Sequence, residues 1–311
     1  MIDGRIKYRH LQCFLEVARQ KSLVKAADSL AVSQPAVSKT IRELEEILGV
    51  RLFERNRKGT TVTPSGEIFH RHAGVSIASL QQGLDGVAQL REGVGGQVNV
   101  GVLPNAAATI MPRAILACRA QGIGAAIRVM DGANPDLLGQ LKAGELDFVV
   151  GRLAEPAHMV GLSFEHLYSE GLAFAVRPEH PLLDEENFEL SRILDYPLML
   201  PIRGSIIRHA AESFLIANGV GVPGEYIETI SVTFGRTFTR ASNTIWIMDH
   251  GVMLDDLQSG ALARLPVDAE ATEGPVGLTT RVDSALSGPV QMLMSAVREV
   301  AGAFRTRPAQ R

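Results

Sequence analysis

Gln34, Ser38 and Arg42 recur at intervals of four residues with Lys39 among them, in a stretch whose Val37, Ile41, Leu44 and Leu48 also keep helical spacing. On a helix the polar and apolar sets fall on opposite sides. An exposed face of amide, hydroxyl, ammonium and guanidinium groups suits the major groove of DNA. There Gln can pair with adenine, Arg or Lys with guanine, and Ser with either. The alternative is a merely solvated helix face, where Glu and Lys would be commoner than Gln and Ser. A second cationic group, Arg55, Arg57 and Lys58, lies at a turn with Gly59 between two short β-prone runs. A hairpin with such a tip suits phosphates or a narrow minor groove. Far downstream, Arg203-Gly204-Ser205 follows Leu200-Pro201 at an expected helix start, where guanidinium charge and free N–H groups would attract an anion. A plain surface cation at 203 reads equally well.

Chemistry of other kinds finds little support. No GxSxG, HExxH, Walker or EF-hand pattern occurs. Isolated histidines such as His166, His209 and His250 are more often structural than catalytic. Cys13 and Cys118 are the only cysteines, and neither belongs to a CxxC or Cys/His cluster. Disulfide scaffolds and zinc sites are not expected, and both thiols read as small buried apolar groups.

The elements that would position the first two groups are three short helices and a hairpin. Leu11, Phe14, Leu15 and Ala18 form one stripe; Leu23, Ala26, Ala27 and Leu30 form a second after the potential N-cap Ser22. Ser33 can cap the third helix, with Pro35 tolerated in its first turn. This is a helix-turn-helix followed by a wing. Residues 1–60 carry a net charge of +5, so the remainder sums to −8 within the overall −3. A basic head on an acidic body suits a head that meets a polyanion.

The run Ala26-Ala27-(x)2-Leu30-(x)2-Ser33-Gln34-Pro35-Ala36-Val37-Ser38, then Ile41-(x)2-Leu44-Glu45, Gly49-(x)2-Leu52-Phe53-Glu54-Arg55 and Thr63-(x)2-Gly66, resembles the signature of LysR-type transcriptional regulators. The resemblance implies DNA contacts by Ser33, Gln34, Pro35, Ser38, Lys39 and Arg42 on the recognition helix and by Arg55 and Arg57 on the wing. It implies double-stranded operator DNA, a small-molecule effector and RNA polymerase as partners, and a homodimer or homotetramer. Phe164-Glu-His-Leu-Tyr-Ser-Glu and Glu228-Thr-Ile-Ser-Val resemble a subgroup regulating protocatechuate-pathway operons and some sugar-uptake genes. Its effectors include carboxylated ring-cleavage intermediates and sugars.

Thr63-Pro64 starts a further helix, on which Phe69, Ala73, Ile77, Leu80, Leu84, Val87 and Leu90 recur at three- and four-residue intervals. The stripe suits pairing with a second helix or packing on its own chain. The resemblance implies a subunit-pairing linker here. Gly93-Val-Gly-Gly96 ends the helix as a hinge.

Strand and helix patterns then alternate, with strands at Gln97–Leu103, Ala125–Met130 and Leu146–Gly151 and helices near 107–120 and 134–143. A second set has strands near 171–177, 198–201, 225–229 and 244–247 and helices near 205–217, 231–241 and 250–258. A late strand, Val276–Val282, and a closing helix, Ser287–Ala303, follow. The expected fold is α/β, with an all-α winged helix-turn-helix domain (1–62), a linker helix and hinge (63–94) and an effector domain (95–311). The last would form two doubly wound α/β lobes, 97–165 plus 268–304 and 166–267, similar to type 2 periplasmic binding proteins. Ligands of such bodies lie at strand carboxyl ends and helix N-termini. Asn105, Asn134, Arg203, Ser205, Thr229 and Ser231 are the candidate effector contacts, with Pro104 standing where the family often has Ser or Thr. No cofactor is called for beyond the effector. With no apolar run long enough for a membrane span and no secretory leader, a cytoplasmic location without membrane contact is expected. An enzyme or a binding protein without transcriptional work, on the same scaffold, is the alternative.

Overall fold

The computed structural model describes residues 4–305, except 57, 58, 93–95, 123, 223, 283 and 285. In the head, α1 (Tyr8–Gln20), α2 (Leu23–Ser29) and α3 (Gln34–Leu48) surround a core of Phe14, Val17, Ala26, Val37, Ile41, Leu44 and Leu52. The expected caps form: Ser22 Oγ accepts from the N–H of Lys25 and Ser33 Oγ from that of Ala36, each at 3.4 Å. Gly49 closes α3 in the left-handed region at φ +68°, which favours glycine. The wing pairs β1 (Phe53–Asn56) antiparallel with β2 (Gly59–Val62). Glu45 ties it to α3, its Oε1 accepting from the N–H groups of Leu52 (2.7 Å) and Phe53 (3.2 Å).

The long helix α4 (Pro64–Glu92) begins behind Thr63, whose hydroxyl donates to Arg51 O and accepts from Gly66 N–H. A Cβ at Gly66 would stand 2.3 Å from Leu52 O, which explains a glycine at that helical position. Phe14 stacks edge-on against Phe69 at 5.1 Å.

The body builds two five-stranded sheets. The first comprises β3 (Gln97–Val102), β4 (Ala126–Asp131), β5 (Phe148–Arg152) and β6 (Leu162–Glu170), with a late strand, β12 (Gly274–Arg281), in the order β4-β3-β5-β12-β6. Strands β4, β3 and β5 run parallel, while β12 is antiparallel to both neighbours. Helices α5 (Pro104–Ala108), α6 (Ile110–Ala120) and α7 (Asn134–Ala143) connect them, and α11 (Gly288–Arg305) closes the lobe. The core joins Val98, Val100, Phe148, Val150, Val276 and Leu278 to Ile110, Met111 and Ala114 of α6 and to Leu293 and Val297 of α11.

The second sheet has β7 (Leu172–Val176), β8 (Leu198–Leu200), β9 (Ile227–Glu228), β10 (Ile245–Asp249) and β11 (Ala263–Arg264), in the order β11-β7-β10-β8-β9. Its helices are α8 (Ile206–Ala217), α9 (Val232–Ala241) and α10 (His250–Gln258). Leu172, Phe174 and Val176 enter one core while Ala173 and Ala175 enter another on the opposite face, the two-residue alternation of a strand.

Two expectations need correction. The helix expected near 107–120 begins three residues earlier, at Pro104, and is broken at Thr109, whose hydroxyl donates to Asn105 O at 2.6 Å. Leu162–Glu170, which holds the Phe164–Glu170 motif and no expected strand, is the edge strand β6, so the first crossover falls at 170–172 and not at 165–166.

Candidate DNA-reading surface and effector cleft

On α3 the solvent side carries Pro35, Lys39 and Arg42, with Gln34 half-buried at the helix start and Ser33 exposed before it. Lys39 is 78% exposed and stands 4.0 Å from Glu43. Ser38 does not share this face. It is 3% exposed, and its Oγ accepts from Arg42 Nη2 at 3.2 Å. A small side chain at the edge of the apolar stripe, between Val37 and Ile41, is covered by its neighbours. Ser38 therefore positions the Arg42 guanidinium, in place of the direct base contact expected of it. Arg55 lies on β1 opposite Thr60, so the wing's backbone has the expected register. Arg57 and Lys58 lie outside the described residues.

In the body a cavity of about 160 Å3 opens between the two lobes. From the first lobe it is lined by Leu103, Pro104, Gly132, Asn134, Pro135, Glu155 and His158. From the second it is lined by Ile202, Arg203, Gly204, Ser205, Ile206, Thr229, Ile230, Met248 and Asp249. Four of the expected residues, Asn134, Arg203, Ser205 and Thr229, thus come together. Asn134 and Pro135 at the start of α7 and Ser205 and Ile206 at the start of α8 border the space, so two helix N-termini lie at it. Ser205 Oγ caps α8 by accepting from Arg208 N–H at 3.2 Å. Asn134 Nδ2 donates to the carbonyl of Arg152 at 3.1 Å. The Arg203 guanidinium donates through Nε to Tyr226 Oη at 2.8 Å and lies 4.0 Å from Glu228, so part of its charge is already balanced.

Two expected residues do not line the cavity. Ser231 is the N-cap of α9, accepting from Phe234 N–H at 3.2 Å. Asn105 is fully buried. Because Pro104 opens a helix and not a loop, Asn105 turns inward, and its Nδ2 donates to Glu170 Oε1. The residues that sequence reasoning missed are Glu155 and His158 at the rim, and Arg152, Glu170 and Asp249 beneath it. A signal for two of them existed. β5 (FVVGR) and β10 (IWIMD) are each wholly buried strands whose last residue is charged, at equivalent places in the two lobes.

A helix-turn-helix with an arginine-bearing wing, joined in one chain to a two-lobed body with a cleft, defines a ligand-responsive DNA-binding regulator. Residues 8–67 match the bacterial regulatory helix-turn-helix family of lysR type, and residues 91–302 match the LysR substrate binding domain. The chain belongs to the LysR family of transcriptional regulators. It is 50% identical over 302 residues to the HTH-type transcriptional regulator PcaQ of Agrobacterium fabrum, with 97% of each chain covered. It is 38% identical over 300 residues to the uncharacterized HTH-type transcriptional regulator YdcI of Escherichia coli, covering 96% of this chain and 97% of that one. The fold is similar to full-length CbnR complexed with its target DNA, at a TM-score of 0.61 and 21% identity over 95% of this chain and all of that one. These relatives are regulators, not enzymes, and the family's partners are DNA, a small effector and further copies of the chain. No helix among the described residues is long and apolar enough to cross a membrane.

Proposed function

We propose that residues 1–62 read operator DNA, that residues 63–94 pair subunits, and that a small carboxylate held between the lobes of residues 95–311 switches transcription. In the head, Gln34 and Arg42 address base edges, Pro35 and Lys39 flank them, and Ser33 with the wing residues Arg55 and Arg57 meets phosphates. RNA polymerase is the further partner through which a bound regulator acts, and the cytoplasm is where it meets DNA.

The placing of two helix N-termini, those of α7 and α8, at one largely apolar cavity carries the effector reading. The lone arginine at its edge and the hydroxyls of Ser205 and Thr229 suit one or two carboxylates, while Leu103, Ile202, Ile206 and Met248 suit a carbon skeleton or ring. Ring-cleavage acids of the resembled subgroup have that chemistry. Arg203→Ala should weaken binding of such an acid, because a charged hydrogen-bond donor is lost from the edge of the cavity. Isothermal titration with carboxymuconate-type acids and neutral sugars tests this. Tight sugar binding without any response to the acids would refute the anion reading.

Leu80 and Leu84 support the pairing role. On α4 they are 50% and 57% exposed, large apolar side chains left half open to solvent. Glutamate at both positions would bury carboxylates at a helix pair, so light scattering should report dissociation of the native assembly. A folded double variant of unchanged mass would count against this interface.

A further inference from the structure

Beneath the cleft lies a buried charge cluster that the effector reading does not use. Nε of Arg152, from the first lobe, donates to Oδ1 of Asp249, from the second, at 2.6 Å, and both side chains are 5% exposed. Arg152 Nη2 also donates to the carbonyl of Glu170 at 2.7 Å, and Nη1 to that of Thr272 at 3.4 Å. One guanidinium thus grips both chain crossings between the lobes. Glu170, the last residue of β6, is itself only 9% exposed. Its carboxyl receives Asn105 Nδ2 from the first lobe and the N–H of Gly251 from the second, the latter at 3.2 Å. Both donors are neutral.

The cluster therefore holds two acids and one cation in a dry place, where an unmatched charge is strongly disfavoured. The charged and titratable groups acting on Glu170 include, among the described residues, Asp249 from β10, Arg152 from β5 and Tyr168 from its own strand. Asp249 holds the guanidinium directly, so the proton belongs on Glu170. The contact with Asn105 fits this assignment, because the carbonyl oxygen of a neutral acid can accept the Nδ2–H that reaches Glu170 Oε1.

We propose that Glu170 is carried neutral, as a hydrogen-bonded latch between the lobes, and that spreading the lobes at this hinge releases its proton. The inference deepens the two-lobed effector reading and rests on it, since Asp249 and Asn134 both line the cleft and both touch Arg152. A ligand's grip on the lobes is then linked to pH.

Burial, reinforced by the charge of Asp249, pushes the Glu170 carboxyl from its ordinary 4.5 up to about 8, against the opposing pull of Asn105, Arg152 and Gly251. The folded protein thus keeps a proton that the unfolded chain gives up near 4.5. This contribution to stability is complete below that pH and is lost as pH rises through the folded value. Between these limits the unfolding constant gains up to about tenfold per pH unit, and it levels above them.

Infrared spectroscopy of the full-length protein tests the protonation itself. A buried carboxylic acid band should be present near neutral pH, titrate away near the folded value, and be missing in Glu170→Gln. That variant keeps the hydrogen-bonding shape of the neutral acid and should lose the pH dependence of unfolding. A wild-type spectrum without a protonated carboxyl at neutral pH would overturn the proposal even if the variant failed to fold. So would a folded variant with the wild-type pH dependence. Spin labels on Arg119→Cys and Glu186→Cys, exposed positions on the first and second lobes, test the coupling. The interlobe distance should broaden between about pH 6 and about pH 9 in the wild-type background and not in Glu170→Gln. An unchanged distribution in both would refute coupled release. No ligand enters these measurements, so their failure is distinguishable from failure of the effector titration.

Discussion

Replacing Arg152 with methionine should destabilise the body by about 3–5 kcal/mol, the cost of removing one partner from a buried ion pair. Methionine fills a similar volume without the charge, so the loss reports mainly what is left behind. Asp249 keeps a carboxylate with no counter-ion in a fully buried place, and the carbonyls of Glu170 and Thr272 lose their donor. Urea unfolding of the full-length chain, followed by a probe in each lobe, measures it. Pairing Arg152→Met with Asp249→Asn should recover part of the loss, because the orphaned charge is gone. A single-variant loss below about 1 kcal/mol would mean that water reaches the pair, as it does for surface ion pairs.

The sequence exposes the parts of this fold that are governed by local periodicity. The stripes of α1, α2 and α3 recur as helices, and the strands expected at Gln97–Leu103 and 171–177 recur as β3 and β7 close to those bounds. Ser22, Ser33 and Ser205 cap the helices they precede. What the sequence hides depends on partners distant along the chain. β6 mixes exposed and buried residues without clean alternation because its register with β12 shifts at Leu167, so that Leu167 and Tyr168 are both buried. Thr109 breaks a helix whose apolar spacing continues through it.

The site divides the same way. Arg203 and Thr229 reach the cleft because they follow the carboxyl ends of the parallel strands β8 and β9, as the α/β pattern requires. Asn105 and Ser38 go inward because of what packs over them, Glu170 in one case and the α3 stripe in the other. Nothing in the local sequence of Arg152, Glu170 and Asp249 says that they meet. Sheet order brings them together.

The second large effect concerns DNA. Arg42→Ala should cost operator binding about 1–3 kcal/mol, and Gln34→Ala a similar amount, because each removes a side chain placed to discriminate base edges. Arg42 spends only one of its five donors on Ser38, leaving a fork free for guanine. Ser38→Ala keeps the cation and loses its tether, so it should weaken binding less than Arg42→Ala does. Lys39→Ala should lower affinity evenly across sequences and reduce its salt dependence, as expected where contacts are to phosphates.

Selection of binding sites from a pool of randomised duplexes by the purified full-length protein tests the central claim most directly. Wild type should enrich a dyad-symmetric site, and Arg42→Ala should relax the preference at matching positions in both half-sites while the protein stays folded. No enriched sequence with wild type, or the same sequence enriched equally by Arg42→Ala, would contradict a DNA-reading α3.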